Sequence, residues 1–345
     1  MTESTPRPFV TIAIAANEDE PLIEACLTAA LGQDYPADHL EIVVADAMSM
    51  DATREIVLRF VAANEKRVRL VDNPERTRAA ALNVILRGAR GEIVVPMESG
   101  TDYGRTHVSK CVDALSVSPA EHLAIVPRAA GRTVVERALS AVQATRLAFA
   151  AGSDLARGMF GAGGDEAPPT LLGAVRRRVF TKVGLFDPGT RCEEQVELSD
   201  RITKAGGALL VRRDIVVHRS ETSTFKELFR QHYQLGRSRA RRIVKEKRVS
   251  STTALMPLAI VTAGGVLALT ASFQPLTPLA LTGYALATGA AAVRVGKREG
   301  IIAIPIAWAA YPIMHAAHGV GFGAGLVRSV VKPDWQPGVE LLPIA

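Results

Sequence analysis

Acidic and amide side chains gather directly after four short apolar stretches of this sequence, at residues 17–20, 46–51, 72–78 and 98–103. Carboxylate and amide oxygens are ligands for hard divalent cations and acceptors for ligand hydrogen bonds. The glycine patterns GxGxxG and GxxxxGK[ST] do not follow the first stretch. Their absence there argues against a dinucleotide dehydrogenase or a P-loop enzyme.

These polar segments need a scaffold that brings them to one edge, and the hydrophobic pattern predicts one. β-branched apolar runs predict strands at 10–16, 41–47, 67–73 and 92–97. Helical spacing predicts helices between them at 21–33, 51–63 and 78–90. The alternation predicts an α/β fold with a Rossmann-like, mostly parallel sheet flanked by helices. Ligands of such sheets bind at the carboxyl ends of the strands, where the polar segments lie.

The pattern continues less regularly to residue 222, which is the expected end of the α/β domain (1–222). It predicts, in order, a helix at 134–150, a loop at 158–169, a strand and short helix within 170–188, a helix at 199–207 and a strand at 208–218. An acidic run at 193–197 precedes the last of these helices.

The charge distribution favours a membrane surface over nucleic acid. The 345 residues include 41 Lys or Arg and 35 Asp or Glu, a formal net charge of +6. The basic excess concentrates at 230–248, directly before long apolar stretches. We therefore expect a basic interfacial helix over 223–250, contacts with membrane lipids and no nucleic-acid partner. No signal peptide is recognised, so the α/β domain is expected in the cytoplasm.

A membrane region is predicted over 251–330, followed by a tail at 331–345. The uncharged stretches 254–271 and 275–293 are long enough to cross ~30 Å of hydrocarbon. A third stretch, 301–327, contains prolines, histidines and glycines and either spans the membrane or enters and returns. The flanking basic residues favour the re-entrant form under the positive-inside rule. A multi-pass protein of the cell inner membrane, or plasma membrane, is expected.

Several segments, taken in their order and spacing, resemble family 2 glycosyltransferases of GT-A fold, especially the succinoglycan-type bacterial exopolysaccharide branch with C-terminal membrane segments. The segments are VTIAIAANEDEPLIEACLTAALGQDYP, EIVVADAMSMDATREIV, NPERTRAAALNVILRGARGEIVV, LLGAVRRRVFTKVGLFDP, DRITKAGG, QHYQLGRSRARR and MHAAHGVGFGAG. The resemblance implies inverting transfer from a nucleotide-sugar donor, a UDP- or GDP-sugar, to a polyprenyl-linked saccharide acceptor. It also implies a base at the acceptor, with Mg²⁺ or Mn²⁺, or protein cations, at the departing diphosphate.

The same resemblance implies the donor-binding residues. Asp46 matches the family's base-recognition aspartate, and Asn17 and Glu18 end the first strand beside the nucleotide, with Asp51 and Arg78 nearby. Asp51 also precedes a predicted helix, so an N-cap role is an equal alternative. For Asp46 the alternative is a solvated strand end.

For the metal, the resemblance aligns the family's Asp-x-Asp, or Asp-Ala-His, with Glu98-Ser99-Gly100, which keeps one carboxylate. Glu98 is then expected to hold Mg²⁺ or Mn²⁺ with diphosphate oxygens and water, assisted by Asp102. The alternative is that Glu98 is an ordinary surface acid and that metal binding has been lost.

For the base, the family's Glu-Asp pair falls on Glu194-Gln195. Glutamine cannot accept a proton, so Glu194, or Glu193 after a shift of one residue, is the expected base. Asp165 and Glu166 in the glycine-rich loop are more distant candidates. The structural alternative is that these acids complement a helix dipole.

The family's Gln-x-x-Arg-Trp motif aligns with residues 234–238, which keep Gln234 and Arg237 but carry serine in place of tryptophan. Arg237 is expected to contact a donor or acceptor phosphate, or lipid head groups. His315 and His318 lie on one face of an apolar segment, where packing or hydrogen bonding is favoured over metal ligation.

The three departures from the family pattern, at Gly100, Gln195 and Ser238, keep a second hypothesis open. In it the chain is a degenerate glycosyltransferase-like membrane protein that binds a nucleotide or a partner without catalysis.

Overall fold

The computed structural model describes residues 7–125, 128–129, 131, 133–143, 145, 147, 171–190, 192, 194–219, 224–247, 258–259, 262 and 276–335. The chain divides into two compact units. The α/β unit comprises residues 1–128, 169–219 and 339–345, and the helical unit comprises 129–168 and 220–338.

The strands are β1 (Val10–Ala16), β2 (Leu40–Asp46), β3 (Val68–Asp72), β4 (Ile93–Met97), β5 (Thr101–Tyr103), β6 (His122–Ile125), β7 (Arg128–Ala129), β8 (Leu171–Arg176), β9 (Leu209–Arg212) and β10 (Val217–Arg219). Within the described residues they form a seven-stranded sheet, β3-β2-β1-β4-β8-β6-β9, and a three-stranded sheet, β5-β10-β7. β1 pairs in parallel with β2 and β4, whereas β8 is antiparallel to β4 and β6. The predicted α/β fold is confirmed.

The helices are α1 (Glu20–Leu31), α2 (Thr53–Ala63), α3 (Arg78–Gly88), α4 (His107–Ser116), α5 (Val134–Gln143), α6 (Phe180–Val183), α7 (Glu194–Lys204), α8 (Phe225–Glu246), α9 (Leu276–Glu299) and α10 (Ala303–Val331). Short 3-10 turns occupy Ala37–His39 and Arg177–Val179. Two sequence predictions need correction. The helix expected from 199 begins at Glu194, and the strand expected at 208–218 is two strands, β9 and β10, in different sheets.

The main sheet buries both faces, as the continuous apolar runs of its strands predict. Ile12 and Ile14 of β1 share a core cluster with Ile23 of α1. Ala13, on the opposite face of β1, shares a second cluster with Leu82 of α3. Helices on both faces thus fix the strands, and the loops after β1, β2 and β4 emerge at one edge.

At the other edge of the sheet, the carboxylate of Glu41 is fully buried at the start of β2. It accepts hydrogen bonds from Thr11 Oγ1 at 2.7 Å, from Arg90 N at 2.7 Å and Nε at 2.9 Å, and from Arg69 Nη2 at 3.1 Å. Burial alone would raise the pKa of Glu41, but these bonds and charges outweigh it and hold the pKa below its ordinary value.

The helical unit contains α5, α8, α9 and α10. Two glycines let α8 and α10 approach closely. A Cβ on Gly236 would meet the backbone of His318 and Phe322, and a Cβ on Gly321 would meet the backbone of Tyr233. These contacts favour glycine at both positions because any side chain would push the helices apart.

Among the described residues, one helix, within Thr277–Glu299, is long and apolar enough to cross a membrane. Of its apolar 18-residue stretch, 28% is buried. Leu279, Leu281 and Leu286 of this helix are 69%, 60% and 69% exposed. The predicted span at 254–271 lies almost entirely outside the described residues. The described residues thus offer one candidate span and do not support the predicted multi-pass arrangement.

The third predicted apolar segment, 301–327, falls within the single helix α10, which has Pro312 inside it. The reversal of direction that a re-entrant segment requires is not present in Ala303–Val331. The predicted basic helix region, 223–250, contains α8.

Candidate active site

A cleft of about 270 Å³ opens at the carboxyl ends of β1, β2 and β4 in the α/β unit. It is lined by Ala15, Ala16, Asn17, Asp19, Ala47, Asn73, Arg76, Thr77, Arg78, Ala81, Glu98 and Ser99. Residues from all four polar segments of the sequence analysis therefore meet in one place, as parallel strands require.

Arg78 lies at the centre of the charges in this cleft. It is the first residue of α3, directly after Thr77, whose hydroxyl accepts the backbone N–H of Ala80 at 3.2 Å and caps the helix. Its Nη2 pairs with Oε1 of Glu98 and its Nη1 pairs with Oε1 of Glu194. One planar guanidinium thus joins two carboxylates from distant parts of the sequence.

Glu98 meets a second arginine, because Arg219 Nη1 of β10 lies 3.2 Å from its Oε2. Both carboxylate oxygens of Glu98 are therefore paired with guanidinium groups. Burial alone would raise the pKa of Glu98, but Arg78 and Arg219 outweigh it and the pKa lies below its ordinary value. Burial would lower the pKa of Arg78, yet Glu98 and Glu194 raise it.

The turn after β4 sets the position of Glu98. Its backbone N–H donates to Tyr103 Oη at 2.9 Å, and its carbonyl accepts from Thr101 N at 3.2 Å. Gly100 within the turn has φ +79, a conformation that favours glycine. Burial raises the pKa of Tyr103, so its hydroxyl remains neutral.

Asp102 does not join Glu98. It lies on β5 between the buried side chains of Thr101 and Tyr103 and is itself exposed, because alternate residues of a strand point to opposite faces. The predicted pairing of Glu98 with Asp102 as metal ligands is therefore absent from the described structure.

The donor set at Glu98 does not fit a resident Mg²⁺ or Mn²⁺. Both oxygens of Glu98 are paired with arginines, and Gly100 contributes no carboxylate where the resemblance places a second ligand. Hard cations need several oxygen ligands that are not already neutralised. Within the described ranges, no three His, Cys, Asp or Glu side chains form a metal-binding group.

Asp46 is fully buried, so it is not a solvated strand end. Its carboxylate accepts from Ser49 Oγ at 2.6 Å and N at 3.2 Å, and from Arg54 Nη1 at 3.3 Å. It is turned into the β2–α2 loop, while its neighbour Ala47 lines the cleft. Asp46 therefore shapes the loop that borders the cleft, and its predicted contact with a nucleobase remains a prediction.

Asp51 directly precedes Ala52, the N-cap residue of α2, and its side chain binds the backbone at the start of two helices. Its carboxylate accepts the backbone N–H of Thr53 at 3.1 Å and of Glu20 at 3.2 Å, which lie in the first turns of α2 and α1. Hydrogen bonds from Thr53 lower the pKa of Asp51. These contacts give Asp51 a structural role beside the N-cap position, and the residue does not line the cleft, so its predicted donor contact remains a prediction.

Asn17, which directly follows β1, lines the cleft. Glu18 follows in a left-handed conformation, with φ 53, and its N–H donates to Ser49 Oγ at 3.0 Å. The loop after β1 is thus tied to the loop after β2, but Glu18 is not among the lining residues.

The sequence analysis did not single out Asp19, Arg76 or Arg219. Asp19 lines the cleft, and burial raises its pKa above the ordinary value. Arg76 lines the cleft and has φ 53. The signal for Asp19 and Arg76 was their place in polar segments that follow strands, whereas nothing local distinguishes Arg219.

Glu194 is the first residue of α7 and is 5% exposed. Gln195 follows it, half-buried, and its carbonyl accepts Ser199 Oγ at 2.8 Å. Glu193, the alternative base, lies outside the described residues. Glu194 was interpreted from the sequence either as the base or as an acid that complements a helix dipole. In the structure it begins a helix, and its carboxylate also contacts Arg78.

A hydrogen-bonded clamp holds the segment that leads to Glu194. Asn83 of α3 donates from Nδ2 to the carbonyl of Phe186 at 2.8 Å and accepts the N–H of Phe186 at 2.9 Å. Thr77 Oγ1 donates to the carbonyl of Pro188 at 3.0 Å. The helix that carries Arg78 is thereby bound to the chain just before Glu194.

Gln234 and Arg237 lie on α8 in the helical unit. The Arg237 guanidinium lies 5.9 Å from the ring centre of Tyr233. On α10, His315 Nε2 donates to the carbonyl of Leu147 at 2.7 Å, and Nδ1 lies 2.8 Å from Tyr284 Oη. His318 Nε2 lies 3.2 Å from Arg239 Nη1. Both histidines are hydrogen-bonded, as expected.

Comparison with known proteins agrees with this fold. The chain is 26% identical over 284 residues to succinoglycan biosynthesis protein ExoA of Rhizobium meliloti (strain 1021), covering 81% of this chain and 84% of that protein. It is similar in structure to mannosyltransferase PcManGT of Pyrobaculum calidifontis, solved with GDP-Man and Mn²⁺, at TM-score 0.58 and 25% identity over 96% of this chain and 88% of that one.

A third relative is glycosyltransferase AglE of Haloferax volcanii, 27% identical over 109 residues, which are 32% of this chain and 36% of that protein. Together the fold, the cleft and these relatives define the class: a glycosyltransferase of GT-A fold. Residues 11–147 match the profile described as glycosyl transferase family 2. The chain therefore carries a glycosyl transferase family 2 domain over residues 11–147, in agreement with the resemblance.

Proposed function

We propose that the chain transfers a sugar, with inversion, from a UDP- or GDP-sugar to a polyprenyl-linked saccharide in cell-surface polysaccharide synthesis. One observation carries the proposal: Arg78, which lines the cleft at the carboxyl ends of the strands, pairs both with Glu98 of the same cleft and with the buried carboxylate of Glu194. The Arg78 guanidinium, which can bind a diphosphate, therefore lies beside the Glu194 carboxylate, which can accept a proton from a hydroxyl.

In this mechanism Glu194 is the base. Its carboxylate is held in place by Arg78 and accepts the proton of the acceptor hydroxyl. The acceptor oxygen forms a bond to the anomeric carbon while the bond from that carbon to the diphosphate oxygen breaks. The electron pair leaves with the nucleoside diphosphate, and attack from the opposite face inverts the anomeric centre.

The relatives support the proposed pathway and the proposed class of donor. The chain covers most of the length of a succinoglycan biosynthesis protein, which supports a role in exopolysaccharide synthesis. The mannosyltransferase was solved with GDP-Man, which supports a nucleotide-sugar donor.

Membrane attachment supports a lipid-borne acceptor. α9 exposes three large leucines and is the candidate span of the described residues. An enzyme held at the cytoplasmic face of the inner or plasma membrane meets a lipid-linked acceptor at raised effective concentration.

A divalent cation would supply charge stabilisation to the departing diphosphate if it bound. The Mn²⁺ in the mannosyltransferase structure supports a test for Mg²⁺ or Mn²⁺ here. The donor set at Glu98 does not fit either ion, so no step of the mechanism is derived through one.

The test is a donor panel with the purified full chain in lipid vesicles. UDP- and GDP-sugars are supplied with and without membrane lipid extract, in EDTA and in Mg²⁺ or Mn²⁺. We expect one donor to release nucleoside diphosphate faster with extract and to label a lipid product. Nucleotide binding without turnover of any donor would refute the enzymatic proposal. That result would favour the degenerate, binding-only protein, which Gln195 in place of the family acid supports.

A further inference from the structure

Glu98 stands where the resemblance places a metal ligand, yet its two oxygens face Arg78 and Arg219. Its side chain is 14% exposed, so solvent screens these pairs less than it screens surface ion pairs. A metal ion that used Glu98 would have to displace at least one guanidinium from a partly buried carboxylate. Displacement would leave like charges close together, which is costly at low exposure.

The charges around Glu98 already balance. Arg78 and Arg219 carry two positive charges, and Glu98 and Glu194 carry two negative charges. A divalent cation that bound here together with a diphosphate would still need a protein carboxylate that is not already paired with an arginine. An incoming diphosphate needs positive charge, and Arg76, a further lining residue of the cleft, adds it.

No other carboxylate of the turn replaces the missing ligand. Gly100 has no side chain. Asp102 is exposed on β5, on the face opposite to the buried side chains of Thr101 and Tyr103. Asp19 lines the cleft, but its carboxylate already accepts the backbone N–H of Asn17 at 3.2 Å.

We propose that Arg78 binds the diphosphate of the donor in place of a divalent cation. Glu98 is then a positioning residue that, together with Arg219, orients the Arg78 fork. As the bond between the anomeric carbon and the diphosphate oxygen breaks, the guanidinium N–H groups donate to the oxygens that gain charge. No proton changes place in this interaction. The inference rests on the proposed function, because it concerns the donor of that reaction.

The experiment measures binding of UDP and of GDP to the full chain by calorimetry, in EDTA and then in Mg²⁺ or Mn²⁺. For the nucleotide that binds, we expect the affinity measured in EDTA and the affinity measured in metal to agree within about 3-fold. A difference of this size corresponds to the net free energy of one hydrogen bond or less. An affinity gain above about 10-fold with metal, lost in Glu98→Gln, would overturn the proposal.

Variants separate positioning from ligation. Arg78→Gln is expected to weaken binding about 10- to 100-fold in both conditions, the value of a hydrogen bond to a charged group, and Arg78→Lys to restore part of it. Glu98→Gln is expected to weaken binding equally in EDTA and in metal. Full affinity in a folded Arg78→Gln would contradict the proposal. The control is Arg87→Gln, an exposed arginine in the last turn of the same helix, which should bind as the unaltered chain does.

Failure of the enzymatic proposal and failure of the arginine inference would give different results. If UDP or GDP binds without metal but no donor turns over, the arginine inference stands and the enzymatic proposal falls. If transfer occurs only with metal and Glu98→Gln abolishes the metal response, the enzyme stands and the inference falls. If neither nucleotide binds in any condition, both are overturned.

Discussion

Arg78 of α3 pairs with Glu194 of α7, although 116 positions separate them in the sequence. The guanidinium also reaches Glu98, so the expected metal-binding and proton-accepting positions share one partner. A change at any one of the three therefore alters the charge environment of the other two.

Removing the carboxylate of Glu194 tests its role as the base. Glu194→Gln keeps the shape of the side chain and its ability to accept from Arg78. We expect kcat to fall about 10²- to 10⁴-fold, the usual contribution of a general base. The measurement is release of nucleoside diphosphate in lipid vesicles. Glu197→Gln, which alters an ion pair with Arg201 on the same helix, is the control. Unchanged kcat in Glu194→Gln would show that another residue is the base, and Glu193 would be the first alternative.

The Asn83 clamp should contribute to the stability of the α/β unit. Asn83→Ala removes two hydrogen bonds to the backbone of Phe186 and leaves those groups buried. We expect the free energy of unfolding to fall by about 1–3 kcal/mol for each group left without a partner. Urea titration of the full chain measures it. Asn64→Ala, which loses a single bond to the carbonyl of Phe60, should cost less. Equal costs for the two variants would show that the clamp is not specific.

Glu41 should make stability depend on pH in acid. Its pKa is lowered in the folded protein, below the ordinary value of 4.5, so the unfolded chain binds the proton more readily. The stabilisation is present above about pH 4.5 and is lost as the pH falls through the lower, folded pKa. Glu41→Gln should flatten this acid limb and cost about 1.5–3 kcal/mol at pH 7.

The control for Glu41 is Glu55→Gln, a change at an exposed position in the first turn of α2. Its stability profile between pH 3 and pH 7 should follow that of the unaltered chain. An acid limb in Glu41→Gln as steep as in the unaltered protein would show that the Glu41 network does not control this dependence.

The exposed leucines of α9 should carry membrane association. Replacing Leu281 and Leu286 together by Glu puts charge at two positions of α9 that are 60% and 69% exposed. Charged side chains cost about 2.5–3.5 kcal/mol each at the centre of a membrane helix. We expect less protein to float with anionic vesicles. Val117→Glu, at a position 85% exposed in the α/β unit, should float as before. Equal flotation of the leucine variant would place attachment elsewhere.

Much of the α/β unit was predictable because its central strands, β1, β2 and β4, are short, rich in β-branched residues and almost wholly buried. β1 matches the predicted bounds 10–16, and β2 and β4 differ from prediction by a residue. In these segments local preference and burial agree, so pattern alone identifies the element. The carboxyl-edge rule then indicated the cleft without any long-range information.

The rest depends on contacts between distant parts of the chain. Nothing near Arg219 indicates that β10 pairs with β5 and carries that arginine to Glu98. Asp46 was predictable as a residue of the site edge, but its turn toward Ser49 and Arg54 depends on how a loop closes. Side-chain direction at a strand end follows from such local competition and not from hydrophobic period.

The division of the chain limits how the protein can be shortened. α5 stands between two stretches of the α/β unit in sequence, but Leu139 and Val142 belong to the same core cluster as Tyr311 and Met314 of α10. A truncation just before α8 would strip α5 of these neighbours and expose its apolar side to water. A water-soluble version of the α/β unit therefore requires a second cut, replacing 129–168 with a short linker, and removal of the C-terminal helices alone should yield protein that aggregates.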